Sequence, residues 1–227
     1  MGILEESEKL CPADYLGRNY QKELEAILDE ISSKVCPGGE CDEPPVLLLH
    51  SCCAPCSSYV ISYLSDYFKI TVFYFNPNIT DRSEYLRRVR EQKKFIESYE
   101  TKYPVDFIEG DYNPELFLQM SKGLEKFPEG SIRCAKCYRM RIEESARMAK
   151  DIKADYFTTT LTISPQKHSP LLNSIGETIG NAYGVKYLVS DFKKKDGYKK
   201  SVELSNKYDL YRQDYCGCEF SKQASQA

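Results

Sequence analysis

With 227 residues, 41% of them hydrophobic and 29% charged, the chain has enough apolar material for one buried core in a soluble globular protein. Its longest apolar runs, 46–49 and 70–75, are far too short to cross a bilayer. The formal net charge of −3 offers no global attraction to nucleic acid or acidic membranes, so any RNA contact needs a local concentration of Lys and Arg.

Glu5, Glu6 and Glu8 stand where a secretory leader would carry basic residues. A cytoplasmic location is therefore expected, with the ten cysteines kept as thiols for metal or redox work rather than spent on a disulfide scaffold. Residues 1–45 read as a helical extension and linker. An amphipathic helix is expected over 19–33, with Leu24, Ile27, Leu28 and Ile31 on one stripe. The turn-rich link Cys36-Pro-Gly-Gly-Glu-Cys41-Asp-Glu-Pro-Pro45 follows; Cys11, Cys36 and Cys41 are left outside the main site.

From residue 46 the pattern alternates strand and helix. A buried-type strand over 46–50 runs into the Cys52/Cys53 turn, and Pro55 suits the first position of the helix after it. A second strand over 70–75 ends in Asn76-Pro-Asn78, a charged helix covers 83–99, and a short strand covers 105–108. Cys134 and Cys137 open a helix reaching Ala149; strand 156–161, helix 171–183, strand 186–192 and helix 201–208 follow. Such alternation predicts an α/β fold, a doubly wound parallel sheet over 46–221, with a disordered tail at 222–227. In these sheets ligands bind beyond the carboxyl ends of the strands at a topological switch point, and the first cysteines sit just past the end of the first strand.

Seven cysteines fall in three distant groups: Cys52, Cys53 and Cys56; Cys134 and Cys137; Cys216 and Cys218. No group alone saturates a tetrahedral metal, so the fold is expected to bring them into one thiolate cage. Adjacent Cys52 and Cys53 are awkward for two bonds to one ion, and seven thiolates exceed the four that a structural zinc or a four-iron–four-sulfur cluster requires. An iron–sulfur centre is favoured over zinc. Cys52 or Cys53, the Cys134/Cys137 pair and one of Cys216 and Cys218 are the expected cluster ligands, the surplus thiols serving a second metal, redox chemistry or the pocket lining.

Arg133, Lys136, Arg139 and Arg141 surround the second group, where they can offset cluster charge or grip RNA phosphates; for Arg141 a solvated, salt-bridged helix face is an equal alternative. His50 shares a face with Cys52 along an extended strand, and a core histidine is favoured over direct catalysis. Lys167 and His168 sit on a polar loop after a strand. No GxGxxG, GxxxxGK(S/T) or SGGxDS stretch occurs, so ATP chemistry is not expected.

Several blocks in order resemble the QueH family of epoxyqueuosine reductases: His50-Ser-Cys-Cys-Ala-Pro-Cys56, Phe75-Asn-Pro-Asn-Ile79, Arg133-Cys-Ala-Lys-Cys-Tyr-Arg-Met-Arg141, Phe157-Thr-Thr-Thr-Leu-Thr-Ile-Ser-Pro165, Ile175-Gly-Glu177 and Leu210-Tyr-Arg-Gln-Asp-Tyr-Cys-Gly-Cys218. The resemblance spans roughly 46–221 and implies a fold of the adenine-nucleotide α-hydrolase-like (HUP) type. It implies removal of the epoxide oxygen from epoxyqueuosine at the tRNA wobble position by a 4Fe-4S cluster with an additional iron, without cobalamin or ATP. It also implies an external electron donor such as ferredoxin or flavodoxin, and no membrane partner. Cys52, Cys53, Cys56, Cys134, Cys137, Cys216 and Cys218 are then the metal residues; Cys56, Lys167 and His168 the catalytic candidates; Asn76, Asn78, Arg133, Arg139, Arg141, Arg212 and Gln213 the substrate contacts.

Turning an epoxide into an alkene and water takes two electrons and two protons, and cysteine-bound iron passes electrons singly where zinc cannot. Two rival readings stay open at this point. One is a cluster-containing sulfonucleotide reductase or tRNA thiolation enzyme, the other a zinc-organised RNA-binding module.

Overall fold

Val46–His50 forms strand β1, whose Val and three consecutive Leu show none of the polar alternation of a half-exposed strand. In the computed structural model, which describes residues 3–35 and 43–226, β1 is the middle of a five-stranded sheet. In chain order the elements are α1 (Ile3–Lys9), α2 (Tyr20–Val35), β1, α3 (Ala54–Leu64), β2 (Lys69–Tyr74), α4 (Arg82–Ser98) and β3 (Asp106–Glu109). Then come α5 (Pro114–Ser121), α6 (Ile132–Asp151), β4 (Tyr156–Thr159), α7 (Ser169–Tyr183), β5 (Lys186–Tyr187), α8 (Gly197–Lys207) and α9 (Glu219–Gln226).

The strand order is β3-β2-β1-β4-β5, with every pairing parallel, so the expected doubly wound sheet is present. The chain winds outward from β1 through β2 to β3, then returns to the other side of β1 for β4 and β5. The reversal makes the gap between the carboxyl ends of β1 and β4 the switch point. Leu47 and Leu49 enter one core cluster, with α3 and Leu24 and Leu28 of α2; Leu48 enters the other, with residues of α6 and α7. That is the two-residue period of a strand covered on both faces.

The N-terminal helix stripe is packed into this core: Leu24, Leu28 and Ile31 are buried. Arg18 adds a fork of hydrogen bonds to Glu177 of α7, at 2.7 and 3.1 Å, and a second to Glu23. Two features of the Ile175-Gly-Glu177 block are thereby structural. Glu177 ties down the extension, and a Cβ on Gly176 would lie 2.3 Å from the Tyr187 ring.

Three differences from the sequence reading have physical causes. β5 stops at Tyr187 rather than 192, because Asn173 of α7 takes over the ladder's role: its side chain bonds both the N–H and the C=O of Ser190, each at 2.9 Å. β4 stops at Thr159, whose hydroxyl accepts the Leu161 N–H and caps a 3₁₀ turn over Thr160–Ile163. Within the tail expected to be disordered, residues 222–226 belong to α9. Its start is tied to the body by the bond from the Cys216 N–H to Ser221 Oγ and by Phe220 packed 6.1 Å from Phe117. Cys36 and Cys41 lie outside the described residues.

Candidate active site

The turn after β1 is built to present sulfur. Cys53 is the N-cap of α3, in extended conformation, with Pro55 in the first turn. This places Cys56 one turn into the helix and leaves Cys52 facing the end of β4. There the Cys52 N–H donates to Thr160 Oγ1 at 3.2 Å, and the Thr160 hydroxyl reaches Cys52 Sγ at 3.4 Å. The Sγ atoms of Cys52, Cys53 and Cys56 all lie within 4.8 Å of one another, an arrangement that can hold a metal ion. Cys52 and Cys53 are 3.7 Å apart. Tetrahedral thiolates about 2.3 Å from a metal stand about 3.8 Å apart. The adjacency expected to be awkward for one ion is accommodated, because the turn at Cys53 brings both sulfurs to single-ion spacing.

The other four cysteines belong to a second group. Cys134 and Cys137 lie in the first two turns of α6 and, with Cys216 and Cys218 of the C-terminal segment, line one small cavity of ≈ 10 Å³ beside Asn78. Gly217 between the last two adopts φ 117°, and a Cβ there would fall 2.8 Å from Ile79 Cγ1. Glycine alone lets this Cys-x-Cys turn lie so close. Backbone amides donate to two of these sulfurs, Gly130 N to Cys134 Sγ at 3.3 Å and Ser221 N to Cys218 Sγ at 3.4 Å. Cys52, Cys53 and Cys56 share one tight turn, the other four are gathered where α6 meets the tail, and Cys216 borders the cavity that Cys52 and Cys56 line.

A cavity of ≈ 690 Å³ opens at the switch point, lined by Cys52, Cys56, Cys216, Arg141, Lys167, Arg212 and Gln213 among others. Cys216 borders both cavities. The neutral thiol is favoured at Cys53, chiefly by its bond with Cys52, and at Cys137 by burial, each pushed up to about 12. Cys52 moves the other way, held well below the ordinary thiol value by hydrogen bonds from Cys53 and Cys56 and then by the Arg141 charge. Burial works against the Lys167 ammonium, yet the charge that thiolate forms of the neighbouring cysteines would place beside it more than offsets this and raises its pKa.

The proposed substrate contacts divide sharply. Arg212 and Gln213 line the cavity, and Gln213 Nε2 donates to Cys53 Sγ at 2.8 Å. Arg141 lines it too. It is buried, donates through Nη2 to Asn76 Oδ1, and has Nε and Nη1 without a hydrogen-bond partner, so its salt-bridged-surface reading is corrected. Asn76 is buried and holds Arg141 and Ser51 O, which removes it as a direct contact. Asn78 reaches Cys216 O at 3.4 Å. Arg133 is turned inward, donating to the carbonyls of Leu124, Glu125 and Phe127 with its guanidinium over the Phe220 ring, so it staples a loop instead of meeting phosphate. Arg139 is exposed and outside the lining.

His168 also lies outside the lining, where its Nδ1 accepts the Leu171 N–H as N-cap of α7. His50 is fully buried between Thr159 Oγ1 and Phe75 O, and burial depresses its pKa to about 3. It is the core histidine expected. Arg88 was missed by sequence reasoning. Arg88 is buried, paired with Glu84 at 2.6 Å, and holds the carbonyls of Cys216 and Tyr215 at 3.2 and 3.3 Å. Nothing in a charged helix marks one arginine as the one that turns inward.

The donor set fits a metal–sulfur centre on two grounds: three thiols at single-ion spacing, and a buried arginine with unpartnered N–H groups beside sulfurs of both groups. A family model described as epoxyqueuosine reductase QueH matches residues 47–224. The chain belongs to this family. It is an oxidoreductase family, and the match covers β1 through most of α9. A relative called epoxyqueuosine reductase QueH in Staphylococcus epidermidis is 44% identical over 207 residues, covering 89% of this chain and 84% of its own. Another of that name in Streptococcus pyogenes serotype M1 is 43% identical over 179 residues, 78% of this chain and 70% of its own. Among solved structures, the U34-tRNA thiolase NcsA from Methanococcus maripaludis with its 4Fe-4S cluster overlaps 94% of this chain and 75% of its own at 13% identity and a TM-score of 0.48, too remote to carry an argument. Among the described residues no helix is long and apolar enough to cross a membrane.

Proposed function

We propose that the protein removes the epoxide oxygen of epoxyqueuosine at the wobble position of tRNA, giving queuosine and water with two electrons and two protons. The observation that carries this reading is the close triad of Cys52, Cys53 and Cys56, of which Cys52 and Cys56 line a cavity that Lys167 also lines. Cys134, Cys137, Cys216 and Cys218 match the four thiolates of a 4Fe-4S cluster in number, and Cys52, Cys53 and Cys56 remain for an additional iron. Such a centre, when bound, supplies electrons one at a time and a Lewis acid for oxygen.

The chain's own groups do the rest. Lys167 keeps a proton at Nζ within the cavity, poised for an oxygen that gains negative charge; of the two candidates Lys167 and His168, it is the one that lines the cavity. Arg141, fixed by Asn76, sets a permanent positive charge beside the sulfurs. Cys56 opens onto the cavity from the first turn of α3. A space of ≈ 690 Å³ accepts a nucleoside presented out of the stack, which an anticodon loop makes cheap. Electrons come from an external carrier of the ferredoxin or flavodoxin type, in the reducing cytoplasm, without cobalamin or ATP.

Anaerobic iron and sulfide analysis, joined to an assay for epoxide loss from modified tRNA, tests the reading. Iron and sulfide with turnover is the expected result. A colourless zinc protein without turnover defeats it.

A further inference from the structure

One stretch of this acidic chain is basic. Residues 193–212 carry seven Lys or Arg against three Asp or Glu, a net +4 within a chain of −3, so the remainder carries −7. The stretch includes α8, which packs on α3 and separates two cavities. Tyr198 and Ser201 of α8, with Arg212 beyond it, line the cysteine cavity. Lys200, Glu203, Leu204 and Lys207, at helical spacing on another face, line a shallow groove of ≈ 510 Å³ against Tyr59 and Tyr63. Those two rings are stacked with centroids 5.8 Å apart, and Lys200 Nζ lies 5.7 Å from the Tyr59 ring.

Lys194, Lys199, Lys200 and Lys207 are exposed, and none makes an ion pair among the described residues. Lys195 is committed to Glu25, and Glu203 is the one carboxylate lining the groove. Tyr198 is 43% exposed beside Arg212, whose guanidinium sits 5.9 Å from its ring.

We propose that α8 and the loop before it form the docking ridge for the RNA backbone that flanks the nucleoside in the cavity, Lys199, Lys200 and Lys207 neutralising phosphates. The inference rests on the reading that the substrate is a nucleoside within tRNA. A strand whose nucleoside enters beside Tyr198 and Arg212 must continue over one wall of that cavity, and this wall carries the concentrated positive charge. Interleaved tyrosines and lysines suit a strand with both phosphates and base faces, and favour RNA over an acidic redox protein, which offers charge alone.

Binding of unmodified anticodon stem–loop RNA, followed by fluorescence anisotropy across a salt series, tests the ridge without requiring turnover. The variant Lys199→Ala/Lys200→Ala/Lys207→Ala is expected to bind at least about tenfold more weakly at low salt, with the slope of log K against log salt flattened by about 2 to 3. The charge-matched control Lys150→Ala/Lys153→Ala/Lys186→Ala, at the opposite end of the strands, should bind as the parent does. Parental affinity and slope in the α8 variant would overturn the ridge, as would an equal loss in the control. Weakened binding of a flavodoxin-type donor with RNA binding intact would overturn it too and assign the lysines to the redox partner. Absence of epoxide loss in the parent would instead strike the reductase reading and leave the RNA isotherms interpretable.

Discussion

Gln213 Nε2 and Cys53 Sγ meet at 2.8 Å across 160 residues of chain, joining the C-terminal segment to the turn after β1. With a metal bound Cys53 would be a thiolate, and a hydrogen bond to a charged partner contributes about 1.5–3 kcal/mol, roughly ten- to hundredfold in an equilibrium. Gln213→Ala is therefore expected to weaken metal retention at Cys52, Cys53 and Cys56 by that order while far-UV circular dichroism stays unchanged. Chelator-challenge kinetics with parental iron loss would rule this out.

Asn76 Oδ1 accepts a hydrogen bond from Arg141 Nη2, and both residues are buried. Asn76→Ala removes a neutral acceptor from a buried guanidinium, and a hydrogen bond to a charged group contributes about 1.5–3 kcal/mol. Asn76→Asp keeps an acceptor and is expected to recover part of that loss. Urea titration reads the comparison, and equal midpoints for Asn76→Ala and the parent would exclude the role given to Asn76.

The division of the sulfurs predicts two kinds of cysteine variant. Cys134→Ser is expected to lose most iron and sulfide together. Cys53→Ser is expected to lose about one iron per chain while acid-labile sulfide remains, following the single-ion spacing of its triad. Matching iron-to-sulfide ratios in the two variants would refute separate centres.

His168 caps α7 through an unprotonated Nδ1, and burial lowers its pKa from the ordinary 6.5. The unfolded chain then binds more protons just below pH 6.5. The cap's stability is fully present above that value and is lost as pH falls through the lowered folded-state value. His168→Asn keeps a good cap with nothing to titrate. The Tm of the parent relative to His168→Asn should fall as pH drops from 8 to 5. A pH-independent difference would contradict this.

Much of the fold was legible in the residues. Three consecutive Leu before Cys52, Pro55 opening a helix and the alternation after residue 46 located the sheet and its switch point, because buried parallel strands and helix starts impose local composition. The short helix α5 escaped notice among turn residues, and Asn173 shortened β5 by a contact with no local mark. Arg133, Arg139 and Arg141 look alike in sequence, yet one staples a loop, one faces outward and one stands beside the sulfurs.

By itself the sequence determined the chemistry available: thiols in three groups after particular strands and helix starts, suited to soft metals, within a recognisable ordered set of motifs. Only the tertiary structure decided how those thiols divide, three on the turn after β1 and four between α6 and the tail, and which cations face them. The reason is physical: residue type and spacing constrain neighbours a few positions away, whereas the partners of Cys53, Arg141 and Arg88 come from segments brought together by the packing of the whole chain.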